Sequence, residues 1–129
     1  MAHIKISGLY THLNPIKLLL SDTIHNCIVE VLAYLADKRF QRFFPMHRED
    51  LIVPADRSDA YILIEITMME GRSKSTKKQL ITTLFQRIEE TLNIAPIDLE
   101  VIIFDQPAYH FGFRGMTGDE AMLDYSVEV

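Results

Sequence analysis

From Ala2 to Gly8 the chain alternates, with Ile4 and Ile6 on one side and His3, Lys5 and Ser7 on the other. A period of two with β-branched residues predicts a strand with one buried face. Asn14-Pro15 predicts a helix start, the asparagine as cap and the proline in the first turn, where a missing N–H does no harm. Beyond it Ile16, Leu19, Leu20, Ile24, Cys27, Ile28, Val31, Leu32 and Leu35 recur at three- and four-residue spacing. That is the apolar stripe of a long amphipathic helix. Residues 39–44 return to extended character, with Phe40 and Phe44 aligned and Pro45 closing the segment. Residues 46–59 carry charges and Pro54 and read as a connection, with a short strand expected at Leu51–Val53. The pattern then starts again. Tyr61–Thr67 predicts a strand, Glu70-Gly71-Arg72-Ser73 a turn, and Ser75 to Leu92 a helix striped by Leu80, Ile81, Leu84, Phe85, Ile88 and Leu92. Leu99–Phe104 is an apolar run of strand length. A glycine-rich tail follows, with a short closing strand expected over Leu123–Val129.

The order is β-α-β, connection, β-α-β, and the stretch 60–105 echoes 1–46. Parallel strands joined by a helix cross over right-handed, which packs the helix on one sheet face. Two such units side by side predict a four-stranded sheet with both helices on one face, an α+β (α/β sandwich) fold. A ferredoxin-like arrangement is the alternative. The opposite face then needs a cover. Neither half has a helix to spare, so a second subunit is the simplest one, with Ile4, Ile6, Ile62, Ile64 or their neighbours as the surface in question.

At 129 residues, the chain is read as a single domain spanning 1–129. With 48% hydrophobic and 24% charged residues it is not disordered. A net charge of −5 argues against nucleic acid as a partner, since phosphate binding needs a surplus of cations. The longest apolar runs fall far short of the ~20 residues of a membrane span. The first ten residues hold no unbroken apolar block of the kind a secretion signal needs. With one cysteine besides, the expected setting is the cytoplasm, away from membranes.

Most catalytic signatures are missing, and the histidines at 3, 12, 25, 47 and 110 lack metal-ligand spacing, so no metal and no cofactor is expected. Cys27 lies on the helix stripe and reads as a small buried hydrophobe. Lys74, Lys77 and Lys78 read as a solvated helix face, because cations at a helix start oppose its dipole. What remains is a set of arginines and aromatics near strand ends: Arg39, Arg42 and Arg72, then Tyr109, Phe111, Phe113 and Arg114. Arginine forks beside an aromatic wall suit a small carboxylate. Surface arginines and a hydrophobic subunit contact explain the same residues equally well.

The doubled β-α-β, the segment Ile64 to Ser73 with its Glu-Gly-Arg-Ser turn before a lysine-rich helix, the Arg-Phe-Gln of 39–41 and the late Gly-Phe-Arg-Gly loop resemble the tautomerase superfamily. They are most similar to its longer-chain group, which includes malonate semialdehyde decarboxylase. The resemblance implies an amino-terminal proline acting as general base or charged acid, and arginines that bind a substrate carboxylate; the sheet face that needs cover predicts a homotrimer. Carried over by position, the resemblance implies Ala2 at the catalytic place, Arg72 as a carboxylate ligand and Phe111 in the pocket wall; Arg39 is expected as a second carboxylate ligand and Tyr109 as a second wall residue. Position 2 departs from the family, being alanine. With Met1 removed, Ala2 offers a primary amine; with Met1 retained, the nitrogen is a peptide nitrogen and the base is gone. Two functions follow as expectations: a keto–enol isomerase of a small 2-oxo or enol carboxylate, or a catalytically lapsed trimeric ligand-binding or scaffold protein.

Overall fold

The computed structural model describes residues 2–121 and 127–129. Strand β1 (Ala2–Leu9) runs directly into a one-turn helix α1 (Tyr10–Leu13), a tight helical turn over Asn14–Ile16 and the long helix α2 (Lys17–Leu32). The helical region thus starts at Tyr10, ahead of the Asn14-Pro15 signal. Pro15 has no N–H for an α-helical ladder, so the chain tightens around it instead of beginning there. Strand β2 is Gln41–Met46, β3 is Ile62–Met69, helix α3 is Lys74–Leu92 and β4 is Leu99–Gln106. A small hairpin of β5 (Gly112–Phe113) and β6 (Met116–Thr117) follows.

Both long helices end on a left-handed residue, Ala33 (φ 51°) and Asn93 (φ 56°), whose N–H groups return to the carbonyls of Val29 and Glu89. Asparagine tolerates that conformation and announces itself in a sequence; alanine does not. The stripe expected to run to Leu35 accordingly stops at Leu32. At the other end of α3, Ser73 Oγ accepts the Thr76 N–H, an ordinary serine cap.

The sheet order is β2-β1-β3-β4. β1 pairs parallel with β2 (Ile4 opposite Gln41) and β3 parallel with β4 (Ile64 opposite Val101), while β1 and β3 run antiparallel (Ile6 opposite Ile64). Each helix therefore joins two adjacent strands. A ferredoxin-like sheet interleaves its halves, with a strand between those that a helix connects, and this sheet does not.

Helices α2 and α3 pack on each other and on one sheet face, where Ile4, Ile6, Ile62, Ile64 and Ile66 meet Leu20, Ile24, Ile28, Leu80, Leu84 and Ile88. This corrects one expectation. Ile4, Ile6, Ile62 and Ile64 need no second subunit, because the strands turn their apolar parity toward the chain's own helices. The opposite face carries Lys5, Arg42 and Glu65 together with the exposed Phe44, Ile102 and Phe104. Its exposed large apolar side chains come from the edge strands β2 and β4, beside the half-buried Leu63 of β3.

The connection 47–61 holds no strand at Leu51–Val53; a helical turn at Arg48–Asp50 precedes an unpaired stretch. Side chains pin it instead. Asp98, itself buried, accepts the Ser58 N–H at 2.7 Å and the Ser58 hydroxyl at 2.6 Å. Arg48 grips Asp59 through two bonds of 3.0 and 2.8 Å, and the Tyr61 hydroxyl donates to Glu100 at 2.6 Å. Burial and that neighbouring carboxylate push the Tyr61 phenol up to about 12. The closing strand expected over Leu123–Val129 lies largely outside the described residues, and 127–129 are not in a strand. The Val129 carbonyl instead accepts the Ser73 N–H at 3.0 Å and the Thr76 hydroxyl at 2.9 Å.

Candidate functional site

The start of β1 meets the ends of β3 and β4, with Ala2 opposite Met68 and Met68 opposite Asp105. Even-numbered β1 residues face the helices, so Ala2 lies at the core's edge and is 2% exposed. The left-handed Ala33 turns the chain after α2 inward and brings Tyr34 (6% exposed) over the strand start. There the Tyr34 hydroxyl is hydrogen-bonded to the Ala2 backbone. Burial pushes the phenol up, while the Ala2 bond and the Arg72 charge work against that rise. A bond that favours phenolate is one in which the N–H donates, so the Ala2 N–H points at the phenol oxygen.

Arg72 enters from the turn after β3 and is 4% exposed. Its Nη1 donates to the Met69 carbonyl at 3.1 Å. Burial lowers its pKa, offset in part by Tyr34 and Asp105. Asp105 at the end of β4 forms an ion pair with Lys77 of α3. Lys77 is therefore not simply part of a solvated face: it ties the first turn of α3 to the sheet. Gly71, at φ 135°, makes the bend that carries Arg72 inward, and a Cβ there would stand 2.7 Å from the Val127 carbonyl oxygen.

The other proposed site residues lie as follows. Phe111 is half-buried; its Cβ and the Met69 methyl both crowd Gly118, which places the 107–118 loop against the Met69 end of β3. Tyr109 is 64% exposed, its ring edge-on to His110. Arg39 precedes β2 and binds Asp22 at 2.6 Å and Ser21 at 3.1 Å, both on α2. Arg42 lies on the opposite, open face, 3.5 Å from the His3 ring nitrogen, and His3 stacks on Phe40. Burial, then the Arg42 charge, lowers the His3 pKa. Ala2 and Arg72 thus share one neighbourhood with Tyr34 and Asp105, two residues that no motif marks. Tyr34 is off the helix stripe, and only the turn at Ala33 makes it internal. Among the described residues, no cluster of three His, Cys, Asp or Glu side chains is arranged to hold a metal ion. No helix there is long and apolar enough to cross a membrane.

The model of the tautomerase enzyme family matches residues 38–114, more than half of the chain. The chain belongs to the tautomerase family. The matched span holds Arg39, Arg72, Tyr109 and Phe111. A probable tautomerase of Ralstonia nicotianae is 39% identical over 54 residues, covering 42% of this chain and 77% of the relative. Among solved structures, malonate semialdehyde decarboxylase superposes with a TM-score of 0.76 at 21% identity, over 86% of this chain and 89% of that one. A native fused 4-OT reaches 0.78 at 20% identity, over 91% and 96%. A fused 4-OT described as an asymmetric trimer reaches 0.80 at 19% identity over the same shares. At these identities the structural likeness is one of fold.

Proposed function

We propose that this tautomerase-like protein is a cytoplasmic, cofactor-independent keto–enol isomerase of a small 2-oxo or enol carboxylate, working as one domain in a homotrimer. The amine of Ala2, freed by removal of Met1, is the general base. Arg72 and Arg39 hold the substrate carboxylate, and Tyr109 and Phe111 form the apolar wall. The observation that carries this reading is that buried Ala2 and buried Arg72 both interact with the Tyr34 phenol, in a chain of the tautomerase family. An α-amine has an ordinary pKa of about 7.7–8.0, and both burial and an adjacent guanidinium favour its neutral form. A neutral amine near pH 7 can accept the proton that ketonisation moves. Met1 itself lies outside the described residues.

A second reading is a lapsed, trimeric ligand-binding or scaffold protein. Two observations favour it: position 2 is alanine, and one arm of Arg72 is already bonded to its own chain at Met69. Intact mass of the expressed protein, followed by ketonisation of phenylenolpyruvate, separates the two. The enzyme reading expects a chain starting at Ala2, a measurable rate, a higher rate for Ala2→Pro, and loss of the rate when a bulky residue at position 2 preserves Met1. General base catalysis is worth ~10²–10⁴-fold, so these changes stand clear of background. An inactive wild type whose Ala2→Pro variant gains activity supports the lapsed reading.

A further inference from the structure

Tyr34 is held on both sides of its own position. Its N–H donates to the Val29 carbonyl at 3.2 Å, and two residues on, the Ala36 carbonyl bonds the buried His25 ring at 2.7 Å. The phenol is therefore delivered by a pinned segment and not by a loose loop. Both it and Ala2 belong to the buried core, where bulk water does not compete for their bond.

We infer that Tyr34 is the positioning residue of the amino-terminal nitrogen, its phenol oxygen holding one N–H of Ala2 and so setting both the orientation and the proton affinity of the amine. This rests on the amine of Ala2 being the base. A hydrogen bond accepted from an ammonium is stronger than one accepted from a neutral amine. Tyr34 thus favours the protonated form, while burial and Arg72 favour the neutral one. The opposition keeps the amine a useful base: basic enough to take a proton, yet largely neutral near pH 7. Other charged groups near the site are Asp105 with Lys77 from β4 and α3, His3 with Arg42 on the open face, and Arg39 ahead of β2, paired with Asp22 of α2. They are common to the wild type and the variant below.

The test uses the chain beginning at Ala2, obtained with a methionine aminopeptidase and verified by mass. The nitrogen resonance of its amine is titrated by NMR. Tyr34→Phe keeps the ring in the core and removes only the acceptor, so the amine midpoint should fall by about one pH unit. In the ketonisation of phenylenolpyruvate, the acid limb of kcat/KM should move down by the same amount. The pH-independent kcat should fall roughly tenfold with KM unchanged, because a weaker, less oriented base affects the transition state and not substrate binding. In the wild type alone, the Tyr34 ring-carbon resonance should step at the amine's midpoint, which decides the matter even if Tyr34→Phe does not fold. An unmoved amine midpoint in a folded Tyr34→Phe, or no such step in the wild type, overturns the inference. A shifted midpoint in proteins that both lack ketonisation upholds Tyr34 as the positioning residue and removes the isomerase reading instead.

Discussion

Single residues at the bend after β3 decide how Arg72 reaches the sheet end. Gly71 has a φ of 135°, which side chains rarely adopt, and a methyl there would run into the Val127 carbonyl. Gly71→Ala is expected to lower stability by about 1–3 kcal/mol in urea titration with an unchanged slope. An equal midpoint would mean that the bend relaxes freely. The family resemblance implies Arg72 only as a carboxylate ligand. Its burial and its bond to Met69 make it structural as well. Arg72→Ala should therefore destabilise by about 1–3 kcal/mol, and calorimetric titration with a small 2-oxo carboxylate must be run beside it. Lost binding in a variant that still folds supports the ligand role; intact binding in a destabilised one makes Arg72 purely architectural. Gly71 and Arg72 were both visible in the sequence as a turn. The burial of Arg72 was not, because it depends on Tyr34 and β4, which are remote in sequence.

Elements hold one another through a few polar ties, and these set the response to pH and to capping changes. Ser73 caps α3 beside the candidate site, so Ser73→Ala should cost about 1 kcal/mol in thermal or urea unfolding. A neutral outcome would mean that the Val129 carbonyl contact, not the cap, fixes this end. A side-chain bond runs from Tyr61, just ahead of β3, to Glu100 of β4, and Cys27 lies within α2. Burial pushes the Tyr61 phenol up to about 12 and the Cys27 thiol up to about 11. Both groups are harder to ionise folded than unfolded, so their contribution is complete below the unfolded values and is lost as pH rises through the folded ones. Stability should decline from about pH 9 toward pH 12. In an ultraviolet titration one of the tyrosines should ionise last, and Tyr61→Phe should remove that late step. At this scale the two long helices and the four strands of the main sheet were readable from periodicity, but the hairpin of β5 and β6 was not, and Leu51–Val53 reads as a strand that does not form. The end of α2 was not readable either, since Ala33 has no local reason to turn left-handed.

For the whole molecule, the open sheet face bears on assembly. Phe44, Ile102 and Phe104 are exposed among charges on that face, and a fused 4-OT of the same fold is described as a trimer. The proposed homotrimer predicts three times the chain mass in light scattering at micromolar concentration. Ile102→Glu, placed opposite Glu65 on that face, should shift the population toward monomer without unfolding it. A monomeric wild type would remove the trimer from the proposal.

Alternation and helical spacing by themselves determined the two β-α-β halves, the parity of Ile4, Ile6, Ile62 and Ile64, and the arginine-bearing turn before α3. Those are local properties: a strand shows its faces every second residue and a helix its stripe every three or four. Which face the helices would cover, and therefore which residues stay open, was decided only by the tertiary structure. So was the meeting of Ala2, Tyr34, Arg72 and Asp105. They come from four separate segments, and their proximity is set by strand order, by the antiparallel pairing of β1 with β3, and by one left-handed alanine. None of these leaves a mark on neighbouring residues, because each is a relation between distant parts of the chain.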